Sequence, residues 1–258
     1  MICDLSNKVA VVTGAGLRGG DTMPGFGPTI AMALARQGAK VAVLDLKAED
    51  SERTVYEINK KNGEALAYSV DITDVKTTQS IVRKIQSDFG RIDILVNNAG
   101  VCMENPLLEV SEEQWDMLSN INGKGAFFVA QETMRVMCEQ KQGGVLIFVA
   151  SDSARKGGQI ANVGYTYAKA GEVGVMKSFA RVGAEHKIRS VAILPGPGKT
   201  EMTRHWPEEK RNWLVNQMFS KKLVEPQEIA RAVLFAADPV MESLTGCCID
   251  VNAGLWIG

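Results

Sequence analysis

Short, nearly unbroken apolar runs alternate along the chain with longer stretches in which apolar residues recur every three or four positions. The runs fall at 8–13, 40–45, 65–70, 92–97, 144–150, 189–194 and 247–251. They are rich in Val, Ile and Leu and lack the strict alternation of a strand wetted on one face, which predicts parallel strands covered on both faces. The helical patterns lie at 28–37, 49–61, 74–89, 111–138, 164–186 and 226–237. Ser111-Glu112-Glu113-Gln114 reads as a capping box opening the fourth of these, and Pro226 suits the first turn of the last. This alternation predicts an α/β fold: one doubly wound, Rossmann-type parallel sheet of about seven strands with helices on both faces. No repeat, low-complexity segment or linker divides residues 1–258, so a single domain is expected. The stretch 197–223, with Trp206, Pro207 and Trp213, is the longest interruption of the pattern and is expected to form a helical excursion over the strand ends.

Composition narrows the class without naming a partner. The chain of 258 residues is 45% hydrophobic, enough for one substantial core. A net charge of −1 and a pI near 6.2 offer no basic surface for nucleic acid or an anionic membrane. The opening MICDLSNK lacks the apolar core of a secretion signal and no apolar run reaches a membrane span, so a cytoplasmic location is expected. Cys3, Cys102, Cys138, Cys247 and Cys248 are odd in number and lack C-x-x-C spacing, which reads as free thiols in a reducing compartment. Cys247 and Cys248 should point to opposite faces of their strand. His186 and His205 stand in no ligand cluster, so no metal site is expected.

Six glycines crowd the fifteen residues from Thr13 to Gly27, directly after the first apolar run. Gly14-x-Gly16-x-x-Gly19 matches the dinucleotide fingerprint G-x-G-x-x-G letter for letter. In that register the first helix would run through Gly19, Gly20, Asp21, Pro24 and Gly25. Glycine costs about 1 kcal/mol and proline about 3 kcal/mol inside a helix, so the match is read as a decoy. The run from Pro28 to Gly38 is a better helix, with proline in the first turn, alanine-rich filling and a terminal glycine. A pyrophosphate rests where main-chain N–H groups at a helix N-terminus are free and the dipole is favourable. The phosphate-proximal glycines are therefore expected to be Gly14, Gly25 and Gly27, with residues 15–24 as a lengthened loop. Asp45 ends the second strand 18 residues after Gly27, where a carboxylate can accept both hydroxyls of an adenosine ribose. That favours NAD over NADP; Arg18 and Lys47 are the basic groups that could instead reach a 2′-phosphate.

Tyr165 and Lys169 lie four residues apart and so share one face of a helix. A free phenol ionises near pH 10 and is a poor base at neutrality, but a neighbouring ammonium favours the phenolate. The pair can take a proton from an alcohol or give one to a carbonyl. Tyr167, two residues from the lysine, should point elsewhere.

Read in order, these features make the chain resemble the short-chain dehydrogenase/reductase family over essentially its full length. Thr13-Gly14, NNAG at 97–100, Asn122 in INGKGAF, Ser151 after GGVLIFVA, Tyr165-x-x-x-Lys169, Pro195-Gly196 and the closing LTGCCIDVNAG carry the resemblance. It implies that Asp71 and Ile72 flank the adenine and that Asn98, Ala99 and Gly100 line the dinucleotide trough. It further implies that Ser151 holds the substrate oxygen against Tyr165, and that Lys169 also grips the nicotinamide ribose. Asn122 would hold a water linking Lys169 to solvent, and Pro195, Gly196 and Thr200 would contact the nicotinamide end.

Three departures from the family pattern stand out. Ten residues separate Gly14 from Gly25 where the family usually leaves three. Gly198 replaces the usual Val or Ile after PG-x. Ser151 precedes Tyr165 by fourteen residues, with Asp152 and Ser153 as neighbouring candidates for the hydroxyl-binding role.

The expected activity is NAD(H)-dependent interconversion of a secondary alcohol and a ketone, with Tyr165 as acid/base. The polar stretch 151–163 suggests a polyol, sugar alcohol or small hydroxy compound. Trp206, Trp213 and Met218 could equally build an apolar lid for a steroid or other bulky alcohol. A ketoacyl-thioester reductase is the other enzymatic reading; it would usually want NADPH, against which Asp45 argues. A non-catalytic dinucleotide-binding regulatory protein is the alternative of another class. The resemblance also implies a homotetramer or dimer, with helices 111–138 and 164–186 as interface candidates.

Overall fold

The computed structural model describes residues 3–19, 24–158 and 161–258. Parts of two expectations, positions 20–23 of the lengthened loop and 159–160 of the polar stretch, lie outside the described residues, as do Met1 and Ile2.

Seven parallel strands form one sheet: β1 Val9–Thr13, β2 Lys40–Asp45, β3 Glu64–Ser69, β4 Ile94–Asn97, β5 Gly144–Val149, β6 Ile188–Pro195 and β7 Cys248–Val251, in the spatial order 3-2-1-4-5-6-7. The helices are α1 Phe26–Arg36, α2 Ala48–Asn59, α3 Val75–Phe89, α4 Glu112–Ser119, α5 Ala126–Gln140, α6 Ser153–Lys156, α7 Val163–Gly183, α8 Glu201–Arg204, α9 Glu208–Gln217 and α10 Pro226–Ala237. Alternate residues of each central strand enter two separate cores. Ala10, Val12, Val41, Val43, Ile94 and Val96 pack with α1 and α10, whereas Val11, Ala42, Leu44 and Leu95 pack with α3, α5 and α7. Burial on both faces is why the strands read as unbroken apolar runs. The two adjacent cysteines follow the same alternation, Cys247 packing on the first core and Cys248 on the second. All five cysteines are free thiols.

Local signals set several helix ends. Ser111 and Gln114 form the expected capping box, and Pro226 opens α10 beside a second box from Glu225 and Glu228. Asp74 caps α3 by accepting from Lys76 N and Thr77 N, and Gly90 ends it in the left-handed conformation. Two expectations need correction. The first helix starts at Phe26, with Gly25 as its N-cap, two residues before Pro28. The expected helix 111–138 is two helices joined by a π-helical turn, Asn120–Gly125. Periodicity of apolar residues does not register a single widened turn, because the faces on either side stay nearly in phase.

β1 lies between β2 and β4, so the chain turns one way after β1 and the other way at β4. Open α/β sheets bind ligands in the crevice that this reversal leaves at the C-terminal strand ends. Among the described residues no helix is long and apolar enough to cross a membrane.

Candidate active site

A cleft of about 1350 Å³ runs along the C-terminal strand ends. Gly14, Gly25, Gly27, Asp45, Asp71, Ile72, Asn98, Ala99, Gly100, Ser151, Tyr165, Lys169, Pro195, Gly196 and Thr200 all line it. The tertiary fold therefore brings every expected site residue except Asn122 to one surface, and Asn122 lies fully buried just behind it.

At the β1 end the wall is main chain. Gly14 has φ +60°, and a Cβ there would come within 2.7 Å of Ala99 Cα. A Cβ on Gly27 would collide with the Gly14 carbonyl oxygen, so this glycine exists to let α1 press against the end of β1. Gly25 is different: a Cβ there would meet nothing closer than Pro28 Cδ at 3.9 Å. The N-terminus of α1 has no side-chain cap, and Pro28 contributes no N–H, so the first-turn N–H groups face the cleft. Two strands of this wall are tied together by Asn98. Its Nδ2 donates to the carbonyls of Thr13 and Gly14, both at 3.0 Å, while the N–H groups of Asn98 and Ala99 both donate to Thr13 Oγ1 at 3.0 Å.

The literal fingerprint does not open the first helix, as expected, and its second glycine has a packing role instead. Gly16 N–H donates to Asp45 Oδ2 at 2.8 Å, and a Cβ on Gly16 would lie 2.7 Å from Asp45 Cγ and from Asp50 Cβ. Residues 15–17 climb beside β2 and α2, with Ala15 N–H donating to Leu44 O and Leu17 N–H to Asp50 O. Only glycine lets the chain pass Asp45 so closely. Arg18 and Lys47 are exposed at the same mouth of the cleft. Asp71, at the end of β3, accepts from Thr73 N–H and Oγ1.

At the other end the wall is side chains. Tyr165 sits in the first turn of α7, whose start is fixed by buried Asn162. Asn162 caps Gly164 N–H at 2.8 Å, and its own N–H donates to Met103 O in the segment after β4. Ser151 accepts from Ser153 N–H at 3.2 Å and Oγ–H at 2.9 Å, and its hydroxyl also acts as a hydrogen-bond partner that favours the Tyr165 phenolate. Burial outweighs that help and pushes the phenol above its ordinary range, with Cys102, Glu172 and Asp152 adding to the rise. Of the two competitors for the Ser151 role, Ser153 thus supports Ser151, and Asp152 forms an ion pair with Lys156 at 3.1 Å. Tyr167 is exposed and stacks on Trp115, as expected of a residue off the reacting face.

Lys169 is buried, and its Nζ lies 5.8 Å from the Tyr165 ring centroid. It donates to Val149 O at 3.0 Å and to both carboxylate oxygens of Glu172 at 3.1 Å. Glu172 is as buried as the lysine, and burial lifts its carboxyl to about 7 even though Lys169 opposes the shift. Asn122 lies in the π-helical turn, where its Nδ2 donates to Leu118 O and Val101 O and its Oδ1 accepts from Val101 N–H. Those bonds make it a clamp between α4 and the segment following β4. A Cβ on Gly100 would lie 2.5 Å from Asn122 Oδ1 and 3.5 Å from Lys169 Nζ, so the trough is open here because glycine stands at 100.

The segment after β6 covers this end. Met202, Thr203, His205, Trp206, Lys210 and Leu214 line the cleft, and Glu104 pairs with Lys210 and accepts from Trp206 Nε1–H at 2.6 Å. The expected apolar lid needs correction. Trp213 is half exposed and Met218 is buried away from the cleft, because α9 turns Leu214 inward and so sends its neighbour to solvent.

The chain matches the family described as Enoyl-(Acyl carrier protein) reductase over residues 22–256. It is 32% identical to the 3-oxoacyl-(acyl-carrier-protein) reductase FabG of Thermotoga maritima over 253 residues, covering 98% of this chain and 99% of that one. The FabG of Escherichia coli K12 gives 32% over 254 residues with the same coverage. A structure described as a short-chain alcohol dehydrogenase of Sinorhizobium meliloti 1021 superposes with a TM-score of 0.91 at 33% identity, covering 99% and 98% of the two chains.

The protein belongs to the short-chain dehydrogenase/reductase family.

The family works with NAD or NADP. The described residues fit such a group: uncapped N–H groups and the open space at Gly25 suit a pyrophosphate, and Asp45 suits a ribose. Among the described residues no group of three His, Cys, Asp or Glu side chains could hold a metal ion. Residues that sequence reasoning passed over include Phe26, Asn162 and Glu172. Phe26 accounts for one departure from the family pattern, since a Cβ on Gly198 would collide with its ring. Glu172 was visible as an i,i+3 partner of Lys169, but its burial was not.

Proposed function

We propose that the enzyme interconverts a ketone and a secondary alcohol, with Tyr165 moving the hydroxyl proton. The meeting of Tyr165, Ser151 and Lys169 on one wall of the cleft carries this reading. Bound NAD(H) would supply or accept the hydride. Ser151 holds the reacting oxygen, Tyr165 gives it a proton or takes one from it, and Lys169 stabilises the phenolate when it forms. Gly14, Gly25 and Gly27 shape the pyrophosphate seat, Asp71 and Ile72 the adenine side, and Pro195, Gly196 and Thr200 the nicotinamide end. Asp45 supports NAD over NADP, since a carboxylate at the ribose repels a 2′-phosphate.

For the substrate, relatives named as 3-oxoacyl-(acyl-carrier-protein) reductases at 31–33% identity favour a 3-oxoacyl thioester over the polyol suggested by the polar stretch 151–163. Asp152 and Lys156 beside Ser151 are the observation that keeps a small polyhydroxy compound as the second reading. The enzyme is proposed to act in the cytoplasm as a homo-oligomer, with exposed Met117, Tyr167 and Val182 on the interface helices. Initial rates with a 3-oxoacyl thioester, a polyol and a hydroxysteroid, each with both dinucleotides, test the assignment. Thioester reduction at the highest kcat/KM is expected; dinucleotide binding without turnover of any would refute it.

A further inference from the structure

Lys169 Nζ lies 5.8 Å from the Tyr165 ring centroid, where its charge would favour the phenolate, and the structure commits that charge elsewhere. An ammonium has three protons to donate. Val149 O and the two oxygens of Glu172 supply three acceptors, at 3.0, 3.1 and 3.1 Å. Both members of the ion pair are 3% exposed, so solvent barely screens either one. A bare ammonium near a phenol favours the phenolate. An ammonium with a carboxylate against it presents a dipole, whose influence on the phenol is weaker and falls off faster with distance.

We propose that Glu172 is a positioning residue that clamps Lys169 and, when ionised, offsets its positive field at Tyr165, holding the phenol as a proton donor on the alkaline side of neutrality. This rests on the assignment of Tyr165 as the acid/base. Of the groups facing Tyr165 from other elements, Cys102 and Asp152 act in the same direction. Cys102 comes from the segment after β4, and Asp152 with its partner Lys156 comes from the segment after β5. Ser151 is the opposing influence. A phenol held protonated suits carbonyl reduction, in which the ketone oxygen takes the phenolic proton as its carbon accepts hydride, and solvent then reprotonates the phenolate. The reduction limb of the pH profile extends to higher pH, and the oxidation limb, which needs phenolate, begins later.

The test is Glu172→Gln, which keeps an oxygen acceptor for Lys169 and removes the charge. Ionisation of Tyr165 is followed without cofactor, as the ultraviolet phenolate band of the protein minus that of the matching Tyr165→Phe variant. In Glu172→Gln the band should appear about one pH unit or more below its position in the parent. The oxidation limb of kcat/KM should move down by the same amount. An unmoved band would overturn the proposal. A second measurement needs no substitution at 172: in the parent, Tyr165 should ionise above an ordinary tyrosine, and ionisation well below that value would also overturn it. The readouts separate the two layers. If Tyr165→Phe leaves ketone reduction intact while the band shifts, the acid/base assignment fails and the coupling stands; if it abolishes reduction while the band stays put, only the coupling fails.

Discussion

At the Gly14–Gly27 end of the cleft the polar groups belong to the main chain, and what matters about the side chains is that they are missing. Around Tyr165 the polar groups are side chains, several of them buried and charged. The first end tolerates no added atom at Gly27 or Gly16, since each is pressed against the chain or carboxylate it serves. The second depends on how charges share acceptors, as Lys169 does between Val149 and Glu172. A main-chain seat can hold an anion with little choice in the matter, because N–H groups at a helix start cannot titrate or swing away. A side-chain site can be tuned by pH, and it can be retuned by one substitution.

The sharpest way to break the contrast is at the phenol. Tyr165→Phe should lower turnover by roughly 10³-fold, within the range of a lost general acid, while reduced-dinucleotide fluorescence still reports binding. Tyr167→Phe should leave the rate near that of the parent, and equal losses from both would contradict the geometry. Next in size is a pair at the other end. Gly27→Ala should cost about 1–3 kcal/mol of stability through overpacking and weaken dinucleotide binding with it. Gly25→Ala, with space for its methyl, should leave thermal unfolding unchanged and weaken binding alone; a matching fall in Tm would show that Gly25 is packed like Gly27. Asp45→Ala should then shrink the preference for NAD over NADP about tenfold, an amount equal to about 1.4 kcal/mol. A parent that already prefers NADP would remove the basis for that expectation.

The smallest effect lies in stability against pH. Glu172 has a carboxyl raised to about 7 in the folded protein, so between the ordinary glutamate range and 7 the folded state binds the extra proton. Stability from this group therefore falls as pH rises through that window and is lowest above it. Glu172→Gln has no such titration. Its stability relative to the parent should improve from about pH 5 to about pH 7.5, by on the order of 1–2 kcal/mol in urea unfolding. A difference independent of pH would mean that Glu172 keeps its ordinary ionisation on burial.

Much of the fold was legible because its signals are local. The strands announce themselves as apolar runs, Asp74 and Ser111 announce helix starts, and Tyr165 and Lys169 announce a shared face within one turn. Gly25 was placed at the start of the first helix from helix propensity alone, and it is the N-cap there, though that helix begins two residues earlier than expected. The packing demand on Gly16 was not legible, for a physical reason: it comes from Asp45 and Asp50, which lie a strand away. The lid was misjudged for a like reason, since which of Trp213 and Leu214 faces the cleft depends on how α9 is rotated against the sheet.

By itself the sequence determined the order of strands and helices, the place where a helix start could receive an anion, and the phenol–amine pair, because each is written within a few turns of chain. The tertiary structure decided what surrounds them. It alone set Glu104 on Trp206, 102 residues away, and Phe26 in the space left at Gly198. It alone buried Glu172 with Lys169 where water cannot screen them. Such contacts depend on which strand lies beside which, and the sheet order that settles this is a property of the whole packed chain.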